Sequence, residues 1–262
     1  MAFERDSSEG VVLVVVGERD EAARVALGRA WALAAAGGTR LWVVEIVPRG
    51  ATLADVDADL DDWCAQLLPA ALREAGREVR EGDFVTEATA IAGTLSPTLI
   101  VVPADPSAGQ HARELVRCAH VPVFVARAER RGGVVGAVDL ERPELTVLRQ
   151  VAAFTVSIHG SPVLVHPLPE EALGQLGQVR RRVNALRAAT QWLLPGADVV
   201  VTARASPVQA ILEVARGIDS DVIVVGEAPG GADGHGIAGE LIALARRSVL
   251  VTPVARRAVA AA

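Results

Sequence analysis

Short aliphatic runs alternate along the chain with longer segments in which apolar residues recur every three or four positions. Aliphatic runs of roughly four to eight residues are typical of strands buried in a parallel sheet, and the longer spacing is typical of amphipathic helices. The predicted strands are 11–16, 41–47, 78–81, 98–102, 121–125, 134–138, 162–166, 198–202, 221–225 and 249–254. This alternation predicts an α/β fold with helices on both faces of a parallel sheet.

Local signals mark where several predicted helices begin and end. Asp20 can cap a helix that stops at Gly37-Gly38, and Ser206 can cap a helix with Pro207 in its first position. A further helix follows the sixth strand. Its inward face is expected to carry Leu145, Leu148, Ala152 and Val156.

The same order of elements occurs twice. Each half supplies five predicted strands and four predicted helices, so the chain is expected to be a duplicated domain. The stretch 127–133 is polar, charged and glycine-bearing, as linkers between domains often are. We therefore predict two domains, 1–129 and 130–262.

Composition and charge exclude some classes of function. The chain is 51% apolar with a formal net charge of −6 and no basic run, which argues against a nucleic-acid partner. Its beginning has no hydrophobic signal region, and the longest aliphatic run, Val11–Val16, is too short to span a membrane. We expect a soluble cytoplasmic protein without a membrane partner, with Cys64 and Cys118 as free thiols in or near a core.

A glycine-rich segment follows the ninth predicted strand. Gly226 ends the strand, the loop that follows carries Gly230, Gly231, Gly234, Gly236 and Gly239, and a helix is predicted over 237–247. Glycines let backbone N–H groups approach an anion, and a helix N-terminus carries partial positive charge. The segment therefore suits a phosphate, although a flexible surface loop would have the same composition.

Five further fragments occur in order along the chain, at residues 135–139, 163–166, 206–212, 221–226 and 248–251. Together and in this order they resemble the universal stress protein (UspA-like) family in its tandem, two-domain form. The resemblance implies two flavodoxin-like, HUP-type domains, each a five-stranded parallel sheet of order 3-2-1-4-5. It also implies an intramolecular pseudo-dimer of the two domains through their last strands, and homodimers as a further form.

The resemblance also implies a ligand site in the second half. In this strand order ligands bind between the first and fourth strands, where ATP-binding members carry an Asp and a Gly-x-x-Gly-(nine residues)-Gly-Ser/Thr loop. Asp139 and Gly226 match the Asp and the first glycine. The remaining candidates are Gly230, which is one place late, and Gly236 or Gly239, which Ile237 and Glu240 follow in place of a hydroxyl residue.

The first half departs further from the family pattern, because Gly17 and Pro103 stand where the Asp and the first loop glycine belong. We expect at most one adenine nucleotide (ATP, ADP or AMP) per chain, bound by a regulatory protein that is not a catalyst. A scaffold that binds no nucleotide is the alternative, and slow ATP hydrolysis is a third. No catalytic residue and no metal-ligand spacing stands out, although His166 and His235 could lie at the ligand end of the sheet.

Overall fold

The computed structural model describes residues 10–69, 75–104, 108–128, 132–140, 144–168, 176–204, 206–227 and 236–254. We call 10–128 the first half and 132–254 the second half. The elements of the first half are β1 (Val11–Val16), α1 (Glu21–Gly37), β2 (Arg40–Val47), α2 (Leu53–Leu67), β3 (Gly76–Glu81), α3 (Phe84–Leu95), β4 (Leu99–Pro103), α4 (Ala108–Cys118) and β5 (Val123–Ala126). Those of the second half are β6 (Val134–Ala137), α5 (Leu145–Ser157), β7 (Pro162–Leu168), α6 (Leu176–Thr190), β8 (Asp198–Ala203), α7 (Pro207–Gly217), β9 (Val222–Glu227), α8 (Ile237–Leu244) and β10 (Ser248–Pro253).

All ten of these strands belong to one sheet, in the order β3-β2-β1-β4-β5-β10-β9-β6-β7-β8. Neighbouring strands within each half are parallel. Numbered within its own half, each set of five strands has the order 3-2-1-4-5. The predicted α/β fold with two flavodoxin-like sheets is therefore confirmed.

The last strands of the two halves meet in the middle of the sheet. β5 and β10 pair in the antiparallel sense, with Val249 opposite Val125 and Val251 opposite Val123. Each strand thereby covers an apolar edge that would otherwise be open to association. The predicted pairing of the halves through these strands is confirmed.

The core lies on both faces of the sheet and extends across both halves. One apolar cluster joins α1, α2, α5 and α6 to one face, and the other joins α3, α4, α7 and α8 to the opposite face. Each cluster contains buried residues from before and after the β5–β10 junction. All six residues of β1 are buried, as their aliphatic run predicts.

The predicted caps are confirmed, and the predicted inner face of α5 is right for Leu148 and Ala152 but wrong for Leu145 and Val156. The carboxylate of Asp20 accepts from the amide of Ala23 at 2.8 Å, and Ser206 caps α7 with Pro207 in the first turn. In α5 the buried residues are Val147, Leu148, Val151 and Phe154. Leu145 and Val156 are 44% and 73% exposed, because α5 is rotated so that Phe154 packs on Phe124 of the first half, with ring centroids 5.1 Å apart.

Part of the predicted linker is firmly attached to the second half. The backbone amide of Arg127 donates to Oγ of Ser248 at 3.0 Å, and its guanidinium donates to the carbonyl oxygens of Ile242 and Arg247 at 2.8 and 3.1 Å. These carbonyls lie at or just beyond the C-terminus of α8, where a cation is favourable. The boundary itself, at residues 129 and 130, lies outside the described residues and stays a prediction.

Candidate functional site

The strand order of the second half places a crevice between β6 and β9. β6 pairs with β7 on one side and with β9 on the other, so connections leave the sheet in opposite directions at this point. Ligands of open parallel sheets bind at such a switch, beyond the carboxyl ends of the strands. Asp139 lies two residues beyond the end of β6, and Gly226 is the penultimate residue of β9.

A cavity of about 570 Å³ opens at this switch, a volume within the usual range for small-molecule sites. We call it the second-half cleft. Most of its described lining residues are apolar. The lining comprises Ala137, Val138, Asp139, Glu144, Val147, His166, Pro167, Pro207, Ile211, Val225, Gly226, Ile237 and Val254. Asp139 and Gly226 therefore line one cavity, with His166 beside them.

Gly226 is required for close packing at the floor of the cleft. A Cβ atom at this position would lie 2.8 Å from Cγ1 of Val254 and 3.0 Å from Cγ2 of Val147. Those two side chains come from the segment after β10 and from α5. Side-chain packing by itself therefore gives a reason for a glycine at this position.

His166 contacts the backbone on both sides of Asp139. Its Nδ1 atom lies 3.0 Å from the carbonyl oxygen of Val138 and 3.3 Å from the amide nitrogen of Leu140. The ring donates to Val138 when Nδ1 is protonated and accepts from Leu140 when it is not. His166 lies at the ligand end of the sheet, as the sequence suggested, and its contacts are those of a residue that positions the loop carrying Asp139.

The N-terminus of α8 holds a carboxylate of the chain itself. Gly236 is the N-cap of α8 and provides no side-chain hydrogen bond. A Cβ atom on Gly236 would lie 2.5 and 2.8 Å from the two carboxylate oxygens of Glu227. Burial raises the pKa of Glu227, and a hydrogen bond from the backbone amide of Ala238 acts in the opposite direction. No sequence motif marked Glu227, which the fold brings to the helix end.

The other glycines predicted for the loop have different surroundings. Gly230, like His235, lies outside the described residues. Gly236 directly precedes α8, whereas Gly239 is the third residue of that helix and Glu240 is exposed in its first turn. The position of Gly236 directly before α8 favours it over Gly239 as the last glycine of the loop, and a role for any of these glycines in binding stays a prediction.

The corresponding place in the first half is filled by side chains. In the first half Val12 is opposite Leu99, and in the second half Val134 is opposite Val222. Counted along each strand from these pairs, Gly17 is equivalent to Asp139, and Pro103 is equivalent to Gly226. The rings of Phe84 and His111 stack there, with centroids 4.8 Å apart and 13° between their planes. A Cβ atom on Gly17 would lie 3.7 Å from the Phe84 ring.

Phe84 and His111 take the places that Pro207 and Ile237 take in the lining of the second-half cleft. Phe84 and Pro207 are each the first residue of their helix, after the N-caps Asp83 and Ser206. His111 and Ile237 lie the same distance before Val123 and Val249, which are equivalent because Val123 is opposite Ile100 of β4 and Val249 is opposite Ile223 of β9. Phe84 is larger than Pro207, and its ring, stacked on His111, occupies part of the volume that the second half leaves open.

The described part of the chain contains no group of three or more His, Cys, Asp or Glu side chains that could hold a metal ion. No described helix is both long and apolar enough to cross a membrane. Cys64 and Cys118 are both free thiols, as expected; Cys64 is buried, and burial raises the pKa of its thiol to about 11, whereas Cys118 is exposed.

Solved structures show a similar arrangement over nearly the whole chain. A universal stress protein from Archaeoglobus fulgidus DSM 4304 is 15% identical, with 92% of this chain and 98% of that chain covered and a TM-score of 0.64. A protein assigned to the universal stress proteins from Pseudomonas aeruginosa UCBPP-PA14 is 18% identical, with 94% of each chain covered and a TM-score of 0.68. This chain has the universal stress protein fold.

A functionally unknown protein from Pseudomonas aeruginosa PAO1 has the same fold, at 18% identity and a TM-score of 0.68, with 94% of this chain and 93% of that one covered. No protein-family model matches the chain, and no curated protein matches it in sequence. At these identities the likeness describes the universal stress protein fold alone, so activity and ligand have to be argued from the second-half cleft.

Proposed function

We propose that the chain is a universal-stress-type regulatory protein that binds the adenosine portion of one adenine nucleotide in the second-half cleft. The observation that carries the proposal is the cleft itself, in which Asp139 and Gly226 line one apolar cavity at the switch between β6 and β9. A purine needs apolar walls and a few polar groups that fix its orientation. The Asp139 carboxylate can accept hydrogen bonds from an adenine amino group or a ribose hydroxyl.

The filled first half supports a limit of one ligand per chain. Phe84 and His111 stack where Pro207 and Ile237 line the second-half cleft, and Gly17 supplies no carboxylate. The protein is proposed to respond to its ligand as a regulator. Among the described lining residues, Asp139, Glu144 and His166 are the ionisable groups, and no metal cluster accompanies them.

The test is a calorimetric titration of the purified protein with adenosine, AMP and ATP. We expect saturable binding of at least one of them, with one ligand per chain. Asp139→Ala should weaken binding by about 1–3 kcal/mol, the cost of losing a hydrogen bond to a charged group, with little change in Tm. Gly17→Ala is the matched control, because it alters the equivalent position in the first half, where an added Cβ would have ordinary contacts.

Three outcomes would contradict parts of this proposal. Silence with all three compounds would favour the scaffold that acts through protein contacts. Two ligands per chain would show that the first half also binds. Unchanged affinity in Asp139→Ala, in a protein that does bind, would remove Asp139 from the site.

A further inference from the structure

The N-terminus of α8 is the place beside the second-half cleft where a phosphate would be expected to bind. The first backbone amides of a helix have no partner within the helix and carry partial positive charge. Ile237, the first residue of α8, also lines the cleft, so these amides lie at its edge. A ligand whose base occupies the cleft could direct a phosphate group toward them.

Glu227 already supplies an anion at this place. Its carboxylate lies against Gly236, the N-cap of α8, and the backbone amide of Ala238 acts on it as a hydrogen-bond donor. Its backbone is fixed as well, because Glu227 is the last residue of β9 and its carbonyl accepts from the amide of Val254 at 3.0 Å. The carboxylate therefore does for α8 what a capping side chain would do.

Other acidic side chains among the described residues add to this effect. Asp139 and Glu144 line it, and Glu240 is exposed in the first turn of α8. Among the lining residues that the structure describes, none is an arginine. Like charges repel most strongly where solvent is partly excluded, as it is around the half-buried Glu227.

We propose that Glu227 makes the second-half cleft selective against phosphate, so that it binds adenosine more tightly than AMP, and AMP more tightly than ATP. This inference rests on the proposed function. The apolar walls and Asp139 favour the neutral nucleoside, whereas each added phosphate brings negative charge toward a helix end that is already occupied. The ligand class is therefore a nucleoside and not a nucleoside triphosphate.

The experiment compares the full-length protein with Glu227→Gln by calorimetric titration with adenosine, AMP and ATP, without added divalent metal. Glutamine keeps the size of the side chain and removes its charge. In the unaltered protein we expect adenosine to bind about tenfold or more tightly than AMP. In Glu227→Gln this preference should fall by about tenfold, mainly through tighter binding of AMP and ATP.

Two further variants make the comparison specific. Asp198→Asn removes the same charge at the exposed start of β8. This position lies at the amino ends of the strands, away from the cleft at their carboxyl ends, so the substitution should leave the preference for adenosine unchanged. Glu227→Asp keeps the charge but withdraws it by one methylene group. It should give an intermediate preference, and it serves as the second variant if Glu227→Gln does not fold.

The outcomes separate the inference from the proposed function. Binding of AMP or ATP as tight as that of adenosine in the unaltered protein would overturn the selectivity and leave the proposed function standing. An equal preference in the unaltered protein and in Glu227→Gln would remove Glu227 as its cause. Failure of all three compounds to bind the unaltered protein would overturn the proposed function, and the inference with it.

Discussion

Glu45 and His166 occupy equivalent positions in the two halves. Glu45 lies four residues after the β2 residue that is opposite Val12. His166 lies four residues after the β7 residue that is opposite Val134. His166 contacts the backbone around Asp139, whereas Glu45 is buried and lies 3.3 Å from the Nε atom of Arg19. Its Oε2 atom has no hydrogen-bond partner among the described residues. At this position the first half has the poorly solvated carboxylate of Glu45, and the second half has the ring of His166, which positions the loop carrying Asp139.

The buried carboxylate predicts how stability depends on pH. Burial raises the pKa of Glu45 above its ordinary value of 4.5, with Arg19 acting in the opposite direction. The folded protein therefore holds this proton to higher pH than the unfolded chain does. As pH rises from about 4.5 through the raised pKa, the unaltered protein should lose unfolding free energy relative to Glu45→Gln.

Chemical denaturation of both proteins between about pH 4 and pH 8 measures this difference. Glu213→Gln is the control, because Glu213 forms an exposed ion pair with Arg204 at 2.8 Å and should contribute little. Parallel stability curves for the unaltered protein and Glu45→Gln would show that the burial of Glu45 has no energetic consequence.

At the scale of the elements, the sequence predicted what depends on neighbours along the chain. Strands, helix caps and the repeat follow from local patterns such as Asp20 before α1 and Ser206-Pro207 at α7. The rotation of α5 could not be predicted from local patterns, because Phe154 faces inward to meet Phe124, thirty residues earlier in the chain. The contact of Glu227 with α8 likewise depends on where the sheet places the helix. Asp139 and Gly226 could be predicted as candidates because strand order alone brings them together.

The stacked rings of the first half can be tested as a filling for its unused cleft. Phe84 is nearly buried, and Phe84→Ala removes its ring from the contact with His111. We expect the unfolding free energy to fall by about 3–4 kcal/mol, the usual cost of a large aromatic deletion. The number of ligands bound should stay the same, because Gly17 supplies no carboxylate.

Pro207→Ala is the matched control at the equivalent position of the second half. Pro207 is exposed at the start of α7, so its replacement should cost about 1 kcal/mol or less. Urea unfolding and calorimetric titration of the two variants provide both measurements. If Phe84→Ala loses as little unfolding free energy as Pro207→Ala, the stacked rings do not stabilise the first half. If Phe84→Ala binds a second ligand, the stacked rings only block a site in the first half that is otherwise able to bind.

At the scale of the molecule, the two halves share both hydrophobic clusters and a buried ion pair. Nη2 of Arg29 in α1 lies 2.6 Å from Oδ2 of Asp221, which precedes β9 and is fully buried. The same guanidinium lies 5.5 Å from the centroid of the Phe124 ring, at the β5–β10 junction. Because Arg127 is also attached to the C-terminus of α8, we expect the halves to unfold as one cooperative unit.

A double-mutant cycle on Arg29 and Asp221 tests the contribution of the pair. Arg29→Gln or Asp221→Asn alone should lower the unfolding free energy by about 3–5 kcal/mol, because each breaks a buried ion pair by removing one of its charges. The double variant should lose less than the sum of the single variants, with a coupling of about 2 kcal/mol.

The comparison pair is Arg247 and Asp219, 2.8 Å apart with Asp219 65% exposed, whose coupling should be below about 1 kcal/mol. Urea unfolding followed by fluorescence and by circular dichroism measures all these variants. Additive losses at Arg29 and Asp221, or separate transitions in the unaltered protein, would show that this ion pair does not join the halves into one cooperative unit.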